Sequence, residues 1–465
     1  MKYFYKNLIY CFKKFLPSPF TIAVLLTVLT FLLALILTKP ENDSASSYLF
    51  FLTESWENGL WDKSTGGLYF AFQMMLILVL GHVLALTPLV DRIIQALLVY
   101  CRTTASSVFI VALGSVFMGL LNWGLGLIFG AILARKVGEK FALEGKKLNY
   151  GLVGAAAYSA MMVWHGGLSG SATTKAMEDG YITEMMAGFK SNGIYPANLP
   201  FESTIGSPMN ILVGVLCLII IPLFLYFLAK KSRSTQVPNI LSNNSSKETN
   251  NETFKGAEKL DHANWLGIVL GCVFLIVAIL KILNYEGESS FGFIQLNFIN
   301  LCLLGFSLLL HRSVFNFLQA VQKAIGDISG ILIQFPLYFG ILGIMKESGL
   351  IVLLSDSIIS IANDFSLPLY TFISAGIVNF FVPSGGGQWA IQGPIIIEAA
   401  QQLNADIPKT VLALTYGDQL TNMLQPFWAL PLLGITKLKP SQILPYTFLL
   451  FILGIILFGG VLLLF

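Results

Sequence analysis

Between Val378 and Glu398 the sequence VNFFVPSGGGQWAIQGPIIIE is apolar over a length that suits a bilayer, where a crossing helix needs about 20 residues. Its middle defeats a continuous helix. Pro383 removes a backbone donor and clashes with the preceding turn, and Gly385, Gly386 and Gly387 are poor helix formers. Non-helical backbone at membrane depth is tolerated only where protein buries it or where it lines a wet cavity. The stretch therefore predicts either a kinked structural helix or a re-entrant hairpin whose glycine-rich tip faces a binding site.

The rest of the chain has the same character. Of 465 residues, 55% are hydrophobic and 11% charged, whereas soluble domains carry about 25% charged residues. The chain is a polytopic membrane protein, and nothing in it points to a nucleic-acid partner. Five cysteines are scattered through apolar segments with no spacing that suggests a disulfide framework or metal site, and no cofactor motif is present. Lys2, Lys6, Lys13 and Lys14 precede the apolar run Phe20–Thr38, which is too long for a signal sequence and lacks a cleavage site. It reads as an uncleaved first span.

Hydropathy predicts an all-α polytopic membrane protein of about ten transmembrane helices plus two re-entrant helical hairpins. A first repeat covers 1–229, with spans at 19–38 and 68–90, a hairpin at 106–135, a broken span at 150–172 and a span at 203–229. A polar linker, 230–263, and a linking span, 264–283, follow. A second repeat covers 293–465, with spans at 293–311 and 328–346, a hairpin at 368–402, a broken span at 408–435 and a span at 441–464. Charge tests this arrangement. With the N-terminus cytoplasmic and each hairpin returning to its own side, only Lys39, Lys63, Lys175, Lys190, Lys281, Lys346 and Lys409 fall outside, leaving 21 of 28 Lys and Arg inside. That is the asymmetry expected of inner loops. The first outer loop is acidic (Glu41, Asp43, Glu54, Glu57, Asp62). The linker is too polar to bury and reads as disordered. Ser313–Ala324 reads as an interfacial amphipathic helix.

The two halves share an order of features. Gly81–Gly126 and Gly340–Gly387 each hold the end of a span, an amphipathic stretch, an apolar arm and a polar, glycine-rich break. Tyr158 follows the first break and Tyr416 the second at nearly the same distance, each in a span that is itself interrupted. The charge count sends the first hairpin in from the inside and the second from the outside. This is an inverted-topology repeat, a signature of secondary transporters.

In such folds the ligand sits near the midplane between hairpin tips and broken helices. Each break frees backbone N–H groups and a positive helix end suited to a carboxylate, and glycine allows close approach. Asn122, Gly124 and Gly126 in the first hairpin are therefore candidate substrate contacts, as are Ser384, Gly385, Gly386, Gly387 and Gln388 in the second. In the broken spans His165, Ser169 and Asn422 join them. Thr415, Asp418, Gln419, Asn422 and Gln425 recur at helical spacing and share one face. Asp418 is the strongest coupling candidate, because ionisable side chains inside spans are rare and often relay protons; Gln419 and Thr421 flank it. No Lys or Arg lies deep in a span, so a small monoanion is favoured over a phosphate or polycarboxylate, which would call for Arg pairing. Trp123, Trp164, Trp389, Phe427 and Trp428 can supply an apolar wall or serve as core aromatics. An acyl-transfer enzyme using His165 and Asp418 would need an activated nucleophile, and no such motif is present.

These residues resemble the short-chain fatty acid transporter family. The matching strings are Leu121–Gly126 (LNWGLG), Trp164–Ser171 (WHGGLSGS), Gln334–Tyr338 (QFPLY), Val382–Pro394 (VPSGGGQWAIQGP) and Tyr416–Pro431 (YGDQLTNMLQPFWALP), and the resemblance runs nearly end to end. It implies uptake or exchange of short monocarboxylates such as acetate, butyrate or acetoacetate in the bacterial inner membrane. The leading expectation is a secondary carrier driven by H+ with alternating access; the alternative is a Na+-coupled organic-anion carrier in which unwound carbonyls with Asn122, Thr421 and Asn422 coordinate the ion. The resemblance also implies kinship with two-hairpin elevator carriers, which are often homodimers. Two positions depart from the family: Asp418 stands where Glu is common, and His165 where Gly is familiar.

Overall fold

A computed structural model describes residues 19–61, 67–186, 195–237, 256–286, 293, 296–326, 329–350, 353, 357, 360–381, 385–425 and 428–465. It is almost wholly helical. The helices in order are α1 (Pro19–Leu37), α2 (Ala45–Trp61), α3 (Gly67–Ala85), α4 (Pro88–Leu98), α5 (Thr104–Leu121), α6 (Trp123–Leu143), α7 (Tyr150–Tyr158), α8 (Ser171–Ala176), α9 (Tyr181–Met186) and α10 (Pro208–Lys231). There follow α11 (Glu258–His262), α12 (Asn264–Leu283), α13 (Leu296–His311), α14 (Val314–Ile325), α15 (Ser329–Glu347), α16 (Leu367–Phe381), α17 (Gly385–Gln402), α18 (Ile407–Thr421), α19 (Leu430–Thr436) and α20 (Pro440–Leu464).

Helix starts follow the sequence. Thr103 and Ser106 form a reciprocal capping box on α5. Asn149 caps α7. Ser207 and Asp406 cap α10 and α18, each with a proline in the first turn. Among the described residues, α5, α10, α12 and α20 are long and apolar enough to cross a membrane, and α3 and α4 form a bent pair with an angle of 67°.

Both predicted hairpin segments fold back on themselves. In the first, α5 and α6 are separated by Asn122 alone. A Cβ on Gly126 would strike the backbone of Gly119, one on Gly130 the Ser115 side chain, and one on Gly114 the Phe129 ring. The contacts move back along α5 as they move forward along α6, which is antiparallel packing. In the second, Gln388 Nε2 donates to Ala375 O across the gap between α16 and α17 (2.9 Å).

The structure differs from the sequence reading in four places. Ala45–Trp61 is a helix where an acidic loop is expected. Its Glu54 and Glu57 are exposed, while Gly59 lets it approach Gly340 and Gly343 of α15 closely, the small-residue packing common in membranes. The span expected at 68–90 ends at Ala85, and its last residues belong to α4. The span expected from 203 begins at Pro208, after a 3-10 turn at Phe201–Ser203. The linker is not wholly without structure: Thr235–Gln236 pairs antiparallel with Lys147–Leu148, and Glu258–His262 is helical. Residues 238–255 lie outside the described residues.

Gly59→Val should overpack the α2–α15 contact and lower stability by about 1–3 kcal/mol. A lowered thermal midpoint in detergent checks this, with Gly460→Val, whose Cβ has open space around it, as the unshifted control.

Candidate functional site

Two interrupted helices meet at the centre. The first passes from α7 through 3-10 turns at Ser159–Met162 and Trp164–Gly166 to α8. The second passes from α18 through a 3-10 turn at Asn422–Leu424 to α19. They run past each other in opposite directions. Tyr158 Oη donates to the carbonyls of Asn422 and Gln425, both at 3.1 Å. Asn422 Nδ2 reaches Met161 O at 3.4 Å. Farther along, Gln419 Oε1 accepts from His165 N and Gly166 N at 3.0 and 3.1 Å. Each break thus lends partners to the other.

His165 and Asp418 face each other inside this crossing. Both side chains are fully buried, with Nδ1 and Oδ2 3.1 Å apart. Neither atom makes a well-aligned hydrogen bond. The other ring nitrogen, Nε2, accepts from Ala172 N at 3.0 Å and lies 3.3 Å from Ser171 Oγ. A nitrogen that accepts from a backbone N–H carries no hydrogen, so a neutral His165 holds its proton on Nδ1, toward Asp418. The imidazole stacks on Trp164 at 4.4 Å, and the Trp164 ring lies 6.1 Å from Trp123, which packs edge-on to Trp428 at 5.1 Å.

The hairpin tips close on the same place. At the first, Asn122 Oδ1 caps α6 by accepting from Leu125 N (2.9 Å), and Trp123 N donates to Ser169 Oγ (3.0 Å). At the second, a Cβ on Gly385 would come within 2.8 Å of His165, Ser171 and Trp164, so the chain touches the pair only because this residue is glycine. Gly386 and Gly387 follow in the first turn of α17 and are half-buried. Gln388 is buried and ties the two arms together. Ser384 lies outside the described residues, as does Phe427. Thr421 Oγ1 is bonded within its own helix to Gly417 O and Asp418 O.

Two of the expected contacts have a packing explanation. A Cβ on Gly124 would meet Ile77, and one on Gly126 would meet Gly119. Both glycines allow close helix packing.

The sequence reading passes over two amides. Asn379 Nδ2 donates to Asp418 O, Thr421 Oγ1 and Asn422 Oδ1 at 2.9, 2.8 and 3.2 Å, and its backbone carbonyl accepts from Gln425 Nε2 (2.6 Å). Asn210 Nδ2 donates to Gly166 O and Ile205 O, both at 2.8 Å, and its Oδ1 accepts from Tyr416 Oη (3.0 Å). Each is a lone amide in an apolar run, which is the signal that could have found it.

Some buried polar atoms at this centre remain without a hydrogen bond. The donors are Asn122 Nδ2, Trp123 Nε1 and Trp164 Nε1; the acceptors are Asn379 Oδ1, Gln388 Oε1, Asp418 Oδ2 and Gln425 Oε1. Buried polar atoms left unpaired are uncommon and call for an explanation.

The short-chain fatty acid transporter family model matches residues 1–465. The chain belongs to that family. Two relatives bearing the provisional name short-chain fatty acid transporter align with 96% of it. One, from Haemophilus influenzae, is 36% identical across 96% of its own length. The other, from Escherichia coli, is 34% identical across 97% of its own. Among solved structures the chain is similar to the YdaH transporter of Alcanivorax borkumensis, at 17% identity and a TM-score of 0.48, over 96% of this chain and 97% of that one. Membership of a transporter family, together with the long apolar helices, makes this short-chain fatty acid transporter homologue an integral membrane protein.

Asn379→Leu should strand the acceptors at Asp418 O and Asn422 Oδ1 and destabilise the crossing by about 1–3 kcal/mol. Faster hydrogen exchange confined to 407–425, with insertion intact, would confirm the assignment.

Proposed function

We propose that this chain is a secondary carrier of short monocarboxylates, such as acetate, butyrate and acetoacetate, driven by protons across the bacterial inner membrane. The observation that carries the reading is the set of buried donors without partners, Asn122 Nδ2 and Trp123 Nε1 at the first hairpin tip and Trp164 Nε1 on the ring stacked against His165. Three neutral donors suit the two oxygens of one carboxylate, and the Trp123, Trp164 and Trp428 rings suit a short alkyl tail. No Arg or Lys stands among the residues of this centre, which fits a monoanion better than a more highly charged ligand.

A proton reaching the centre finds its acceptor on the Asp418 carboxylate and not on the ring. His165 Nδ1 already holds a hydrogen, and a hydrogen on Nε2 would confront the Ala172 N–H. The Asp418 carboxyl is therefore the group that would carry the proton, and His165 orients it. The two hairpins and the crossing helices then move as a unit against 19–38, 264–283 and 293–311, in an elevator-type alternating access. The repeat order and the two hairpin segments read from the sequence support this, and the positive-inside charge count favours a cytoplasmic N-terminus.

A second reading, a Na+-coupled carrier of organic anions, draws on the unpartnered acceptors Asn379 Oδ1, Gln388 Oε1 and Gln425 Oε1, since hard cations take oxygen ligands. Uptake of labelled butyrate or acetoacetate into proteoliposomes under an imposed pH gradient is the test. Uptake under neither a pH nor a Na+ gradient would end the carrier reading, and strict Na+ dependence at fixed membrane potential would select the second. In the proton-driven case Asp418→Asn should abolish accumulation while leaving counterflow exchange intact; unchanged accumulation would remove Asp418 from the coupling role.

A further inference from the structure

Beside the break at Trp164–Gly166 lies a cavity of about 250 Å³ whose lining includes Gly166, Gly167 and Leu168 but not Gly385. Its walls come from Leu120 and Leu121 at the end of α5, from Val163 and Leu168, and from Val213, Gly214, Cys217 and Leu218 of α10. Its mouth opens between Leu121, Ile211 and Val215, which are exposed and apolar. The mouth lies on the exposed apolar face of α10, a helix long and apolar enough to cross a membrane.

The floor is polar and belongs to two buried amides. Asn210 has both its oxygen and its nitrogen engaged. Gln419 is 1% exposed, and its Oε1 is engaged by His165 N and Gly166 N. Its Nε2 has no hydrogen-bond partner among the described residues. The cavity thus offers an apolar wall and one neutral donor. Its lining contains no Lys, Arg, His, Asp or Glu among the described residues, and Cys217 is its one titratable side chain.

We infer that this cavity is a second ligand site, entered from within the bilayer, that takes a short alkyl carboxylic acid in its uncharged form. An uncharged acid needs no counter-charge in an apolar site, whereas a carboxylate left unpaired there is strongly disfavoured. The carbonyl oxygen accepts from Gln419 Nε2 and the alkyl chain lies along Val213, Cys217 and Leu218. The ligand class rests on the carrier reading above; the site itself does not. Occupancy fills the space behind Gly166 and braces Gln419, the side chain that holds both backbone N–H groups beside His165.

Gly214 gives a clean test, because a Cβ there meets only Leu120 side-chain carbons at 3.9 Å and a larger side chain would project into free volume. The purified full-length protein in lipid vesicles is photolysed with pentanoic acid bearing a chain diazirine, and labelled peptides are mapped by mass spectrometry. Below the pKa of the free acid, label should appear on Ile211–Leu218 and be competed by excess butyric acid, while label on the exposed face of α12 is not. In Gly214→Phe the competed label should fall by about tenfold or more. Leu218→Trp fills the same space if that variant fails to insert. Label on α10 that is absent, that is not competed, or that survives both substitutions overturns the inference and leaves the carrier reading standing. Competed label on α10 without any uptake in proteoliposomes would instead remove the carrier reading and keep the site.

Discussion

A helix that stops inside a membrane protein releases backbone donors and acceptors that water cannot reach, and each must find another partner. The centre of this protein is organised by that demand. Tyr158 supplies the hydroxyl that satisfies the carbonyls of the second break. Gln419 supplies the amide oxygen that satisfies two N–H groups of the first. Asn210 takes the Gly166 carbonyl, and Ser169 takes the Trp123 N–H at the first hairpin tip. Every one of these bonds joins residues far apart in sequence. The two halves of the chain complete each other, and neither break could be buried alone without orphaned groups.

The same economy explains which residues are glycine. At Gly385 the absence of a side chain lets the second tip touch His165, Ser171 and Trp164. At Gly119, Gly126 and Gly130 it lets the arms of the first hairpin and the neighbouring Ala157 and Ala160 backbone come together. The first hairpin therefore spends its glycines mainly on helix contact, and the second brings one to the ionisable pair.

How much of this is legible in the sequence depends on the kind of signal. The breaks are legible because Pro and Gly clusters inside apolar runs have few alternative meanings. The polar face of Thr415 to Gln425 is legible from helical spacing, and all five of its members are buried. The helix at Ala45–Trp61 is not, because its 17 residues and two glutamates lie below the length and apolarity that mark a span. Asn379 and Asn210 are hidden for a different reason. A single amide among apolar residues gives no period, and its role depends on which distant carbonyl the fold brings to it. Gly124 and Gly126 show the converse limit: a glycine required by a neighbouring helix and one required by a ligand look alike in sequence.

The His165–Asp418 pair follows from these constraints. Helix α8 begins directly after a break, so its first N–H groups have no preceding turn to bond. Ala172 N finds its partner in the imidazole Nε2, which fixes the tautomer and turns the ring's hydrogen toward Asp418. A backbone requirement on one side of the ring thereby sets the chemistry on the other. Replacing His165 with glycine while keeping Asp418 would remove two contacts together: the acceptor for Ala172 N at the start of α8 and the donor facing the carboxyl.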